Sequence, residues 1–331
     1  MTQRQYIREV QPNQLIQGVY AIQNCQLGQT KNGKPYIKCL IADKTGRTPG
    51  RMWNASDDLF AGLPTDGFVY LEGQTQPYQG EMQIIIQHLH AVKPTEADLL
   101  DLLPTTSRSV DQMFGEVVRI LSTFKDPSLK ALAEIYLSDG ELMGKFCKAP
   151  AAMTLHHAFL GGLLEHTLSV MNLAEAVLPL YPQLNRDVLL MGLFIHDLGK
   201  CAELSWGTGF GYSEDGQLVG HVARGVIWLQ RKAEDSAAMG HPIAPPVLMV
   251  LHHIILSHHG QLEFGALKVP STPEAIAVSM LDNLDAKLHM ALTATRGEAA
   301  KPADLGGNFT EKMWALDNTR LYRPDPTTIK E

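Results

Sequence analysis

Thirteen histidines and one His-Asp doublet set the chemistry open to this 331-residue chain. His196-Asp197 lies in the run Phe194-Ile195-His196-Asp197-Leu198-Gly199-Lys200. His166 precedes it, and His221, the His258-His259 pair and Asp282 follow at helix-scale separations. Imidazole together with carboxylate suits divalent transition ions, and several of each suggest two ions sharing a carboxylate. Such ions make water nucleophilic near neutral pH and offset charge on phosphoryl oxygens. Metal-dependent hydrolysis at phosphorus is therefore the leading chemistry.

The side chains need elements that aim them at one point. On a helix, His166 shares a face with Leu163, Val170 and Leu173 and so points inward, where an unpaired imidazole is costly. The apolar run from Val188 to Ile195 predicts a buried helix that stops at Gly199 as its C′ residue, with His196 and Asp197 on the last turn. Asp282 sits on a stripe with Ala275, Val278, Ser279 and Ala286, where a carboxylate needs a partner and a cation would serve. Any one of these residues alone is more often a hydrogen-bonded core group. Five helical segments each contributing a ligand type, in the order H, HD, H, HH, D, is a different matter.

Lys200, three residues after Asp197, is placed to meet a phosphate, or else is a plain cation at a helix C-terminus. Arg224, one turn from His221, could do similar work at a phosphate. His156, His157, His252, His253 and His289 are surplus candidates for the core or for support of the ligands, and His90 and His241 read as surface residues. Trp206 to Tyr212 interleaves Gly with aromatics, either a loop offering rings to a nucleobase or a cover for the core.

The period of the sequence changes once. Residues 1–92 read as strands at 15–27, 36–42, 47–53, 68–72 and 82–89, with an Asn32-Gly33 hairpin turn and a short helix at 55–61 capped by Asn54. Five short strands with a helix between the third and fourth is the order of an all-β OB-fold barrel. Residues 93–109 read as a Pro-containing linker with one helical turn at 96–103. Residues 110–300 are helical throughout, with helices expected at 110–125, 127–137, 140–147, 152–178, 185–198, 219–233, 245–258 and 273–292. The tail, 301–331, carries an aromatic segment around Phe309, Trp314 and Tyr322 that reads as helical. The expectation is a two-domain protein, an N-terminal OB barrel followed by an all-α bundle.

OB-folds stack bases on aromatics and follow the phosphate chain with cations. Tyr36 and Lys38 share a strand face, as do Arg51 and Trp53, because strand side chains alternate. Tyr70 and Tyr78 are further candidates, and Trp53 fits the barrel core as well as its surface. Bulk charge does not advertise a polyanion partner. The chain is −7 overall, and residues 1–92 hold eight Lys/Arg against seven Asp/Glu. Any nucleic acid must therefore be held by a local patch, by stacking, or by metals. The four cysteines are scattered with no paired spacing, and the start of the chain has no apolar leader. Both features point to a cytoplasmic protein with reduced thiols. No apolar run is long enough to span a bilayer.

The order of ligands resembles the HD superfamily of metal-dependent phosphohydrolases. By that resemblance Asp197 bridges two ions, His166, His196 and Asp282 hold one, and His221 with His258 holds the other, His259 being a further candidate. The pairing with an OB module is similar to the YhaM-type 3′-to-5′ exoribonucleases. The segments His156 to Thr167, Phe194 to Lys200, Gly220 to Gly225, Leu256 to Gly260 and Trp314 to Asn318 carry that likeness. It implies single-stranded RNA, or DNA, as substrate and release of nucleoside 5′-monophosphates. It also implies dependence on a divalent ion, Mn²⁺ first, with Co²⁺, Fe²⁺ or Mg²⁺ as alternatives. Two other functions fit the residues: a phosphodiesterase or nucleotidase for a small nucleotide, and a non-catalytic single-strand binder on a helical core. Oligomeric state is not readable.

Overall fold

The computed structural model describes residues 5–324 apart from 31, 79, 154–155, 207–209 and 298–307. It divides into two compact units, residues 1–105 with 205–211, and residues 106–204 with 212–331.

The first unit is a closed five-stranded barrel. Strands β1 (Leu15–Gln29), β2 (Pro35–Asp43), β3 (Gly46–Trp53), β4 (Gly67–Tyr78) and β5 (Glu81–Ala91) close in the order β1-β2-β3-β5-β4, with β4 returning to β1. All pairings are antiparallel except β3 with β5. With α1 (Asp57–Ala61) between β3 and β4, this is the OB topology. Alternation sends Ile16, Ile22, Ile37, Ile41, Leu71, Ile84 and Ile86 into the barrel. Gly73 marks a register shift in β4, and a Cβ there would stand 2.6 Å from the Ile85 carbonyl. Ser56, not Asn54, caps α1, accepting the Leu59 N–H, while Asn54 takes φ 56° in the turn before it. Within the stretch expected as a linker, α2 (Glu96–Leu102) forms behind a Thr95–Asp98 capping box. It packs on β1 and β2, and Asp101 accepts from Tyr6 (2.8 Å) and pairs with Lys44 (2.6 Å).

The second unit is helical: α3 (Val110–Ser122), α4 (Pro127–Ser138), α5 (Gly140–Phe146), α6 (Gly162–Val177), α7 (Arg186–Ile195) and α8 (Lys200–Glu203) come first. In chain order the short strands β6 (Leu204–Ser205) and β7 (Gly211–Tyr212) then precede the remaining helices of this unit, α9 (Glu214–Leu218), α10 (Gly220–Ala238), α11 (Pro245–Ser257) and α12 (Pro273–Arg296). Helix α7 is the axle of this unit, with every residue from Asp187 to Ile195 buried and α4, α6, α11 and α12 packed around it. A helix apolar all round belongs inside. Phe194 fixes its last turn, meeting Tyr136 and Phe146 edge-to-face at 5.9 Å.

Two expected helices are corrected. The helix read from 152 begins at Gly162 instead, because Gly161 takes φ 79° and His157 φ 47° in a turn ahead of it. The aromatic tail is a hairpin rather than a helix. Strands β8 (Phe309–Met313) and β9 (Thr319–Tyr322) pair antiparallel, and Asp317 and Asn318 supply the positive φ of the turn. The Asx residues tolerate that conformation, so the reversal falls where Asp-Asn stands.

Candidate metal centre

The site is built where α6, the end of α7, the starts of α8 and α10, the end of α11 and the middle of α12 meet. Asp197 is at its centre and buried. Its two carboxylate oxygens face two sets of imidazoles. Oδ2 lies 3.4 Å from His196 Nε2 and 3.9 Å from His166 Nε2. Oδ1 lies 3.5 Å from His258 Nε2 and 3.6 Å from His221 Nε2. Asp282 Oδ1 reaches His166 Nε2 at 3.2 Å, and His259 Nε2 faces His221 Nε2 at 3.3 Å.

The four imidazoles around Asp197 are oriented by the same device. Each engages a fixed acceptor through Nδ1, which leaves the Nε2 lone pair for the interior. His196 Nδ1–H donates to the Leu193 carbonyl (2.7 Å) and His258 Nδ1–H to the Ile255 carbonyl (2.8 Å). His166 Nδ1 meets Asp285 Oδ2 at 2.7 Å, and His221 Nδ1 meets Glu203 Oε2 at 2.8 Å. The pattern survives the most direct test of fit to a metal. His166 Nε2, His196 Nε2, His258 Nε2 and Asp197 Oδ1 are buried atoms with no hydrogen-bond partner. Convergent orphaned acceptors are costly unless a cation satisfies them. Among the described residues, His166, His196 and Asp197 form one group with metal-ligand spacing. Asp197, His221, His258 and His259 form a second, sharing the carboxylate.

Electrostatics match this reading. Burial pushes the His258 pKa down against the pull of Asp197. Burial and the neighbouring imidazoles take His259 down to about 3, so both rings are neutral ligand types. Burial opposes ionisation of Asp197 and Asp282, but Lys200 and His196 around the first, and His166 beside the second, hold both well below the usual carboxylate range. His166 departs from this pattern: Asp282 and Asp285 flank it and raise it to about 9 in spite of burial, so its Nε2 proton must leave before that atom can hold an ion.

The structure separates the two cations read from the sequence. Lys200 is buried with Nζ 2.7 Å from Asp197 Oδ2, inside the cluster. Arg224 turns to Asp215, engaged through Nε (3.0 Å) and Nη2. That bidentate pair ties α9 to α10 and takes up the guanidinium edge expected at a phosphate. Gly199 also has a different task from the left-handed cap expected of it. Its φ is −55°, in the right-handed region, and a Cβ there would stand 2.0 Å from the His221 carbonyl oxygen. The absent side chain lets the Asp197 turn touch the start of α10, which brings His221 to Asp197.

Asp285 and Glu203 were missed by the sequence reading. Asp285 also takes His157 Nε2 (3.1 Å) and the Ser169 hydroxyl, and His157 stacks on His289 with centroids 3.9 Å apart. The available signal was spacing, since Asp285 is three residues after Asp282 on the same helix side. Of the other surplus histidines, His253 Nε2 accepts the Ser271 N–H away from the cluster. A separate cleft of about 340 Å³, lined by Trp228, Arg231 and the Lys232–Asp139 pair among others, contains none of these ligands.

On the barrel, the register sets Tyr36 opposite Trp53 and Lys38 opposite Arg51. The Tyr36 and Trp53 rings lie 5.3 Å apart, and Trp53 is 46% exposed. Of its two readings the surface one holds. Tyr70 is engaged by Glu72 and stacks on His90. Of the loop read as a base-stacking platform, Trp206 to Tyr212, residues 207–209 lie outside the described residues, and Tyr212 at its end is 52% exposed.

Residues 163–287 match the HD domain family. The helical unit is therefore an HD-type phosphohydrolase domain, carried in one chain with an OB barrel. Over 304 residues the chain is 34% identical to the 3′-5′ exoribonuclease YhaM of Geobacillus sp. (strain WCH70), spanning 92% of this chain and 90% of that protein. It is 32% identical over 304 residues to the 3′-5′ exoribonuclease YhaM of Bacillus subtilis (strain 168), spanning 92% and 93%. The chain belongs to the YhaM 3′-5′ exoribonuclease family.

Proposed function

We propose that this protein is a metal-dependent 3′-to-5′ exoribonuclease that shortens single-stranded RNA to nucleoside 5′-monophosphates, with single-stranded DNA as a second substrate class. The observation that carries the hydrolytic half is Asp197, whose two oxygens each face a different pair of Nε2 atoms. His166, His196 and Asp282 would hold one divalent ion, His221, His258 and His259 the other, and Asp197 both. Mn²⁺ is the first candidate and Co²⁺, Fe²⁺ or Mg²⁺ the alternatives. Bound there, such ions would supply Lewis acidity toward phosphoryl oxygens and a water acidic enough to be deprotonated near neutral pH.

The chain's own groups do the rest. Asp285 and Glu203 hold His166 and His221 in the orientation that exposes Nε2. Lys200 keeps a positive charge beside Asp197, against burial, because that carboxylate stabilises it. A scissile phosphate entering the cluster would meet that ammonium as a point charge. On the barrel, Tyr36 and Trp53 present rings for stacking, and Lys38 and Arg51 lie beside them for the phosphate chain. Holding the strand there raises its effective concentration at the hydrolytic centre. Four free thiols fit a reducing cytoplasm, and no described helix is long and apolar enough to cross a membrane.

The test is metal content beside hydrolysis. Wild-type protein loaded with Mn²⁺ should carry the ion by elemental analysis and shorten single-stranded RNA. Asp197→Ala should lose both while keeping its far-UV circular dichroism. Full metal content and hydrolysis in Asp197→Ala would remove the proposed centre.

A further inference from the structure

We propose that the outer face of α12 is the interface of a homodimer. The helix has two unlike sides. Its inner side carries Ala275, Val278 and Ala286, which are buried, together with Asp282 and Asp285 of the metal centre. On its outer side, Ile276, Met280, Leu284, Leu288 and Leu292 recur every four residues. They are 48%, 64%, 43%, 51% and 47% exposed. A surface helix of a monomer normally shows charged or polar residues there. The neighbouring exposed positions are Asn283 and Lys287, so the ridge contains no carboxylate to repel a second copy.

A hairpin adds exposed apolar surface beside the helix. Strand β9 packs on α12, and its hairpin leaves Phe309, Trp314 and Tyr322 48%, 71% and 57% exposed. Three rings at those fractions leave roughly 350 Å² to water, and the five aliphatic side chains add a comparable amount. A monomer's largest apolar patch is usually about 300–600 Å², whereas a stable interface needs about 800 Å² per partner. Ridge and rings together therefore exceed ordinary monomer exposure and come close to a dimer's requirement.

The geometry favours a second copy over an unlike partner because the ridge matches itself. A row of side chains at i±4 packs into the groove beside the same row on another helix, with the axes crossing at about 50°. Leu284 is the middle of the five. A two-fold axis there places each Leu284 against its own copy, with Met280 beside Leu288 of the partner subunit, as an isologous contact requires. Both elements that carry the patch belong to the helical unit, and its opposite side holds the ligands, so pairing leaves the metal centre intact.

Full-length protein in sedimentation equilibrium should show a dimer at micromolar concentration. Leu284→Glu sets two carboxylates against each other on the axis. It should raise the dimer dissociation constant by about 30-fold or more, the loss of a central anchor, with unchanged circular dichroism. Leu284→Cys gives a second, independent readout. Cys25, Cys39 and Cys201 are buried and Cys147 is partly buried, so the introduced thiol is the exposed one and should link to itself under mild oxidation. A wild-type monomer at about 100 µM, an equally tight Leu284→Glu dimer, or a Leu284→Cys dimer that does not cross-link would each overturn the proposal. Should Leu284→Glu fail to fold, the cross-link decides alone.

Discussion

Asp285 and Glu203 show why a candidate ligand histidine is only half specified by its own residue. An imidazole can rotate and can carry its proton on either nitrogen, and a carboxylate on Nδ1 removes both freedoms. Removing that carboxylate should therefore weaken metal binding without unfolding the domain. Asp285→Ala is expected to lower Mn²⁺ affinity by about 10- to 100-fold, and Asp285→Asn, which can still accept from Nδ1, should recover part of the loss. Isothermal titration calorimetry measures this directly, and unchanged affinity in Asp285→Ala would leave His166 positioned by packing alone. Glu203→Ala should act likewise through His221. The His-Asp doublet, His166, His221, the His258-His259 pair and Asp282 were all legible in the sequence, because ligand residue types in a fixed order form a recognisable set. Their supports were not legible, since a lone Asp or Glu on a helix has too many ordinary uses. That both His258 and His259 reach the second group was also beyond the sequence, because it depends on how α11 ends. His258 continues the helical backbone there (φ −59°, ψ −30°), and Gly260 turns the chain with φ 79° directly after His259.

At the scale of elements, the close approach of two turns decides the site. The His196–Lys200 turn meets the start of α10 at Gly199, where a Cβ would collide with the His221 backbone carbonyl at 2.0 Å. Backbone cannot move aside as a flexible side chain can. Gly199→Ala is expected to cost about 1–3 kcal/mol by overpacking and to displace His221 from Asp197. Thermal unfolding should show the first effect and a lowered metal stoichiometry the second. An alanine variant with wild-type melting temperature and full metal content would show that the contact is dispensable. The glycine was visible in the sequence but read as a helix cap, because the steric reason lies in a segment more than twenty residues away. The same limit explains the tail. The aromatic spacing of Phe309, Trp314 and Tyr322 suggested a helix, whereas the Asp317-Asn318 turn with positive φ makes a hairpin. Strand positions in the barrel were legible because alternation and turn residues are local. The late strands β4 and β5 run longer than expected, since their ends are set by pairing with each other.

For the whole molecule, the proposed division of labour is between holding a strand and cutting it. The exposed Tyr36–Trp53 ring pair and the Lys38–Arg51 pair occupy neighbouring cross-strand positions in the barrel, far in sequence from the HD ligands. If the barrel tethers the substrate, Tyr36→Ala with Trp53→Ala should weaken binding of long strands by about 1–3 kcal/mol for each lost stack. The expected signature is a raised KM with kcat nearly unchanged, and little effect on dinucleotides. An equal fall in kcat on both substrates would contradict a tethering role. The near-neutral charge of residues 1–92 predicts a shallower salt dependence than that of a strongly basic binder, measurable as KM against ionic strength. The two-unit architecture and its order were legible from the change in sequence period, but the surface that joins copies was not. A row at i+4 spacing looks like core until a structure shows that the opposite side of α12 is the one packed.

The most direct test of the central claim is hydrolysis of a 5′-labelled single-stranded RNA by purified wild type and Asp197→Ala, with Mn²⁺ or with EDTA, resolved over time on a sequencing gel. The account predicts a ladder that shortens from the 3′ end only for the wild type and only with the metal. Cleavage that persists in EDTA, or equal shortening by Asp197→Ala, would contradict it.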